Sequence, residues 1–256
     1  MSLWSWLLPD AFSTFAPQID RMYYAILIIT GIVFVITEVL LLGFVFRYRH
    51  REGSKAEYIH GNVTAEVIWT AVPFLIVMWI GLASRGVWAS IKDPTNIPAD
   101  AMEVRLTAKQ FEWNVTYSGG DGQFGGTDDF VVRNRLDVPV NRPIKVVLNS
   151  QDVIHSFFLP QMRLKQDAVP GTEILVWFQA TTAGEYTIGC AELCGVGHTR
   201  MRGTLIVHEP ADYQTWLDSR NTAPAEAVPG AAAPATPATP APGAPAAAAP
   251  GTPPRP

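Results

Sequence analysis

The sequence predicts a membrane-anchored β protein: a hairpin of two transmembrane helices, then a β-sandwich or barrel, then an Ala/Pro-rich tail. Three observations carry that reading. The chain is 48% apolar and only 16% charged, and its first third holds two long apolar runs. From about residue 100 to 210, short runs of β-formers alternate with Gly and Pro. Finally, 11 of the 21 prolines fall in the last 36 residues. A length of 256 residues allows one or two domains, and a net charge of −4 leaves no electrostatic footprint for nucleic acid.

The first apolar run covers residues 23–46, broken only by Glu38 and small polar or Gly positions. As a helix it would span about 36 Å, enough to cross a hydrocarbon core of about 30 Å with tilt. The second, residues 67–83, contains Pro73 and has Trp69, Trp79 and Trp88 as interfacial anchors. The linker between them carries Arg47, Arg49, Arg51 and Lys55, whereas the first 20 residues carry no base. The positive-inside rule then puts the linker in the cytoplasm and both chain ends outside. Those first residues also lack the basic n-region of a secretory signal. Glu38 lies deep inside the first helix, where an ionised carboxylate is costly, and is expected to be neutral or paired with a partner.

Strand-forming runs follow at residues 103–117, 143–149, 154–159, 173–179, 186–189 and 204–208. Gly119-Gly120-Asp121-Gly122 and Gly125-Gly126 mark a hairpin loop or insertion. Many short strands with little helix argue for a sandwich or barrel. Residues 212–219 read as a short closing helix after Pro210. The expected boundaries are 1–21 for an outer N-terminal segment, 22–90 for the hairpin, 91–220 for the head and 221–256 for a disordered tail unable to bury a core.

The chemistry concentrates in Cys190-Ala-Glu-Leu-Cys194-Gly-Val-Gly-His198-Thr-Arg-Met201. Two thiols, an imidazole and a thioether within twelve residues form a soft donor set suited to copper. His155, in Asp152-Val-Ile-His-Ser-Phe-Phe-Leu-Pro160, adds a second imidazole at a strand edge. Zinc ordinarily takes paired Cys and His and does not favour Met. Two close cysteines outside the cytoplasm could instead form a disulfide, which would leave His155, His198 and Met201 unexplained. A single blue copper needs only one Cys. Two coppers bridged by both thiolates, each capped by one His and one weak ligand, use every residue.

Cys-x-Glu-x-Cys-x-x-x-His-x-x-Met, with His-Ser-Phe-Phe-x-Pro before it and a two-helix hairpin before that, resembles subunit II of the haem–copper cytochrome c oxidases over about residues 20–218. The resemblance implies a cupredoxin-like barrel holding the dinuclear CuA centre, in a bacterial inner membrane with the head on the periplasmic side. Cys190 and Cys194 would bridge both coppers, and His155 and His198 would bind one each. Met201 and the Glu192 carbonyl would be the weak ligands. The Glu192 side chain would hold a magnesium or manganese ion shared with subunit I. Glu66, in Glu66-Val-Ile-Trp69-Thr70-Ala-Val-Pro73, would mark the mouth of a proton-uptake path. Implied partners are subunit I, subunit III and a cytochrome c donor. The implied activity is electron input to a proton-pumping oxidase whose oxygen chemistry lies in subunit I; no haem-attachment motif occurs in this chain.

The family usually has Gln-Trp-x-Trp near residue 110, its first Trp admitting electrons; here the segment reads Gln110-Phe111-Glu112-Trp113. Phe111 and Trp113 are therefore the candidates for electron entrance, with sheet core as the competing role. The head, residues 86–220, has 16 acids against 12 bases, which favours a basic donor. His50, His60 and His208 read as solvated. A membrane-tethered copper carrier or chaperone is the alternative function, but it gives Glu66 and the Glu192 side chain no purpose. A quinol-oxidase subunit would lack the copper ligands.

Overall fold

The structure, a computed structural model, describes residues 8–222. The Ala/Pro tail expected beyond residue 221 lies almost wholly outside the described residues. Two helices come first, α1 (Ala16–Arg47) and α2 (Val63–Lys92). Both exceed the apolar runs that announced them, and at about 1.5 Å per residue they are roughly 48 and 45 Å long. Their hydrophobic windows have no buried residue: Phe34, Trp79 and Leu82 are 63%, 55% and 69% exposed. A helix apolar on all sides and covered by nothing needs lipid or a partner around it. Its hydroxyls are satisfied internally, Thr30 and Thr37 donating to the carbonyls of Ile26 and Val33 at 2.8 Å.

The side chain of Asn62 caps α2, accepting from the Ala65 N–H at 3.1 Å, with Glu66 in the first turn and Lys92 in the last. Pro73 sits within the helix. The basic linker, residues 48–62, joins the helix ends remote from the head.

The head is a cupredoxin-like sandwich of two five-stranded sheets. One has the order β3 (Phe130–Arg133), β2 (Glu112–Tyr117), β1 (Met102–Lys109), β5 (Pro143–Ser150), β8 (Ile174–Gln179). The other has β4 (Arg135–Pro139), β10 (Arg202–His208), β9 (Gly184–Cys190), β6 (His155–Leu159), β7 (Leu164–Ala168). The β1/β5 and β4/β10 pairs are parallel and the remaining pairs antiparallel. Alternate residues point inward, so Leu106, Trp113, Ile144 and Leu148 meet Leu136, Phe157, Ile188 and Leu205 with no exposed surface. The third helix, α3 (Pro210–Thr222), packs Tyr213 and Trp216 against the end of this core.

Three expectations needed correction. The run 103–117 is not one strand but a β1–β2 hairpin turning at Gln110 and Phe111. Strands β3, β4 and β7 were not anticipated. His208 is not solvated: its side chain is 15% exposed and its Nε2 lies 2.6 Å from the fully buried carboxylate of Asp137.

The head is clasped to the hairpin on two sides. Residues 8–15 lie across it: Phe12 N–H donates to the Gln161 carbonyl, Thr181 N–H to the Phe12 carbonyl, and Ser13 Oγ to the Met162 carbonyl. Arg163 forks onto Asp20 of α1 at 2.6 and 3.0 Å. On the other side, Lys92 at the end of α2 donates to Gln166 Oε1 at 2.6 Å.

Candidate metal centre

The donor residues meet at one end of the sandwich. Antiparallel pairing of β6 and β9 sets Phe157 opposite Cys190, and Ala191 N–H donates to the Ser156 carbonyl, so His155 and Cys190 become neighbours. The chain from Cys190 to β10 forms a compact loop. His198 N–H bonds the Gly195 carbonyl and Met201 N–H the Gly197 carbonyl, winding residues 198–200 into a 3-10 turn. Trp113, wholly buried, supports the site edge-on, its ring 6.2 Å from His155 and 5.8 Å from Phe157.

Each cysteine sulfur has the same company. Cys190 Sγ lies 3.9 Å from His155 Nδ1 and 3.2 Å from the Glu192 carbonyl oxygen. Cys194 Sγ lies 3.7 Å from His198 Nδ1 and 3.8 Å from Met201 Sδ. The two sulfurs are 3.7 Å apart and are free thiols. His155, Cys194 and Met201 are buried, and Cys190 is half-buried. Burial, followed by the neighbouring Cys190, pushes the Cys194 thiol up to about 11. A metal bound there would have to displace that proton, since the thiolate is the ligand.

The orientation of His155 is set from behind. Asp152 lies 2.9 Å from its Nε2 and also accepts from the backbone N–H groups of Gln110 and Val153, both at 2.7 Å. Burial alone would push the Asp152 carboxyl up, but bonds from Gln110, His155 and Val153 outweigh it and hold the group below the ordinary range. With Nε2–H directed at this carboxylate, the lone pair of Nδ1 is free toward Cys190. Gln110 also donates from Nε2 to the Cys194 carbonyl. Reading the sequence missed both Asp152 and Gln110. The Asp152–His155 spacing of three was a usable signal; the reach of Gln110 to a loop 84 residues away was not.

Phe111 and Trp113 have different surroundings. Trp113 is core, its backbone N–H held by Asn134 Oδ1 at 2.8 Å. The half-buried Phe111 lies flat over the metal loop. A Cβ at Gly197 would run into its ring, and one at Gly195, where φ is +133°, would stand 3.2 Å from Phe111 Cζ. Leu193 and Val196 of the loop are 78% and 102% exposed, and the Glu192 side chain is also exposed. Glu66 lies at the other end of α2, about 39 Å from Lys92 by helix rise, in an open hollow of about 440 Å³ with Val63, Val67, Thr70, Ala71 and Phe74. Glu38 is partly covered in mid-α1 and has no ion-pair partner among the described residues.

Two thiols, two imidazoles, a thioether and a carbonyl converging at one loop suit a soft transition metal. Such a donor set on a cupredoxin-like sandwich behind an apolar helical hairpin defines a class: membrane-anchored proteins whose head carries a candidate metal site. Residues 103–208 match the family described as cytochrome c oxidase subunit II, periplasmic domain, and residues 1–87 match its transmembrane domain. The alternative cytochrome c oxidase subunit 2 of Bradyrhizobium diazoefficiens is 34% identical over 219 residues, 76% of this chain and 77% of that one. The cytochrome c oxidase subunit 2 of Thermostichus vulcanus is 30% identical over 276 residues, 87% of this chain and 81% of that one. Among solved structures, the periplasmic domain of subunit II of the Bradyrhizobium japonicum cytochrome oxidase is 29% identical at a TM-score of 0.44, covering 48% of this chain and 96% of that one. This chain belongs to the cytochrome c oxidase subunit II family. It is thus a membrane-bound component of a haem–copper oxidase, an oxidoreductase complex.

Proposed function

We propose that this chain is the electron-input subunit of a proton-pumping terminal oxidase, with its head on the periplasmic side of a bacterial inner membrane. The observation that carries this is the matched company of the two sulfurs, each with one His Nδ1 and one weaker donor. That set fits a CuA pair: Cys190 and Cys194 would bridge, His155 and His198 would cap, and Met201 and the Glu192 carbonyl would be the weak ligands. When bound, a copper pair sharing two thiolates gains and loses one electron with little movement of its ligands. A site that must not reorganise needs a rigid frame, and the residues supply one. Asp152 fixes the ring of His155, Gln110 ties the loop to the β1–β2 turn, and Trp113 and Phe157 keep water from the inner side.

Phe111, half-buried in the β1–β2 turn against the loop, would admit electrons from a cytochrome c donor, with Trp113 behind it as packing for His155. The exposed Glu192 carboxylate is free to bind a magnesium or manganese ion with subunit I. Glu66, at the cytoplasmic end of α2 in the orientation set by the basic linker, would open a proton-uptake path into subunit I. The bare apolar faces of α1 and α2 suit packing against subunit I and subunit III.

Rapid mixing of the purified oxidase complex with reduced donor tests the reading. The visible band of the metal centre should bleach before the haem of subunit I is reduced. Haem reduction at an unchanged rate in a Cys194→Ala complex would contradict it.

A further inference from the structure

Both long helices grip the same side of the sandwich, where the outermost strands β7 and β8 end their sheets. Residues 12–16 form a strap between them. Phe12 N–H and Ser13 Oγ donate to the carbonyls of Gln161 and Met162, just before β7. At the end of β8, Thr14 N–H donates to the Gln179 carbonyl, and the Phe12 carbonyl accepts from Thr181 N–H. Phe15 lies edge-on to Trp177 of β8 at 4.5 Å, and Ala16, the first residue of α1, is wholly buried. Lys92, the last residue of α2, reaches β7 itself, donating to the Lys165 carbonyl at 3.1 Å and to Gln166 Oε1.

Arg163 stands at the centre of this joint. Its side chain is 8% exposed and makes four bonds: the fork onto Asp20, one from Nη1 to the Pro160 carbonyl at 2.8 Å, and one from Nη2 to the Pro9 carbonyl at 2.7 Å. The backbone here has φ +55°, a left-handed conformation that glycine adopts at least cost. A long cation kept in that conformation serves through its side chain, not through the turn. Asp20, 21% exposed, lies in the second turn of α1, and a pair so little exposed is only weakly screened by salt. From this joint a single ladder leads to the metal loop. Strand β7 begins at Leu164 opposite Leu159 of β6 and ends with Ala168 opposite His155. His155 is thus four residues along β6 from the joint, about 14 Å by strand rise, and Phe157 between them pairs with Cys190.

We propose that Arg163 is a positioning residue for electron transfer out of the head: its fork onto Asp20 fixes the metal-bearing strands against α1, and with them the distance the electron must cross. The proposal rests on the reading that electrons leave this centre for haem in subunit I. Tunnelling falls off exponentially with distance, so a head that shifts on its helices loses rate even when every ligand is in place. Lys92 holds the same strand from α2, and the two ties together resist rotation of the head about either helix.

The test uses the intact oxidase complex, with an electron injected into the metal centre by a flash-excited ruthenium dye and its onward passage to haem timed. Two variants remove the fork differently: Arg163→Gly suits the left-handed turn, and Asp20→Asn leaves the head's own sequence untouched. Each should slow the onward passage by about tenfold, well within what a misplacement of about 1 Å can cost. The double variant should be no slower than either, since one contact is lost only once. Metal content, the visible spectrum and the rate of reduction by the donor should not change. A second readout needs no metal: in the metal-free full chain in lipid nanodiscs, the amides of Phe12, Thr14 and Thr181 should exchange with deuterated water faster in both variants, and those of β1 and β5 should not. Faster exchange with an unaltered onward rate would make Arg163 a structural tie and overturn the proposal. Unaltered exchange would overturn it too, because the joint would not depend on the fork. No onward passage at all in the parent complex would instead sink the electron-input reading and take the proposal with it.

Discussion

Two polar clusters sit at opposite ends of the sandwich, and each contains a histidine and groups hidden from water. At the far end, Asp137 is wholly buried, yet Arg135 forks onto it at 2.6 and 2.7 Å and His208 Nε2 lies at 2.6 Å. Tyr117 completes the set, its hydroxyl accepting from the Asp137 N–H and donating to the Asp137 carbonyl. Burial, then the Asp137 charge, pushes the Tyr117 phenol well above its usual range, and the bond to Asp137 raises Arg135. Every partner there is a hard hydrogen-bonding group, and the network closes on itself. At the metal loop the atoms that converge are sulfurs and ring nitrogens at 3.7–3.9 Å, too weakly hydrogen-bonding to stabilise one another. A closed network holds a fold together; an open convergence of soft donors awaits a ligand.

If that distinction is right, substitutions at the two ends should fail differently. The largest effect is expected from Cys190→Ser or Cys194→Ser, either of which should abolish the metal centre while leaving the β-sheet circular dichroism intact. Loss of the sheet spectrum as well would make the cysteines structural.

Next comes Asp137→Ala, which strands Arg135 and His208. Breaking a buried charge pair costs about 3–5 kcal/mol, and the low end applies because Arg135 can turn toward water. Denaturant titration should show this loss, with the metal spectrum unaltered in the folded fraction. A variant as stable as the parent would remove the case for a closed network.

Asp152→Asn keeps the shape but weakens the hold on His155. Loss of such an orienting carboxylate typically weakens metal binding about 10–100-fold. Competition with a chelator would measure it, and unchanged retention would leave Asp152 a loop residue. Met201→Leu should do least: the volume is conserved, so stability should change by less than about 1.5 kcal/mol. Its signature should instead be a shifted visible spectrum and potential, and an identical spectrum would exclude Met201 as a ligand.

The proposed donor set was legible because four of its side-chain donors fall within twelve residues and the fifth stands in a recognisable strand. The hairpin was legible from hydropathy alone. What stayed hidden has physical reasons. Strand β4, Arg-Leu-Asp-Val-Pro, buries a carboxylate that only Arg135, His208 and Tyr117 make tolerable, so its polarity disguised it. Strand β7, Leu-Lys-Gln-Asp-Ala, is largely polar because Gln166 serves Lys92, Asp167 serves Ser156 and Lys165 pairs with Asp167, rather than filling the core. The β1–β2 turn uses Gln110 and Phe111, neither a turn former, since both are needed over the metal loop.

The central claim, that both cysteines and both histidines hold one dinuclear centre, is tested most directly by counting copper and reading its electron spin resonance in the purified full-length chain. Two coppers per chain are expected, with one unpaired electron whose hyperfine splitting shows equal coupling to both nuclei. One copper with a four-line signal, or one tightly held zinc, would contradict the account.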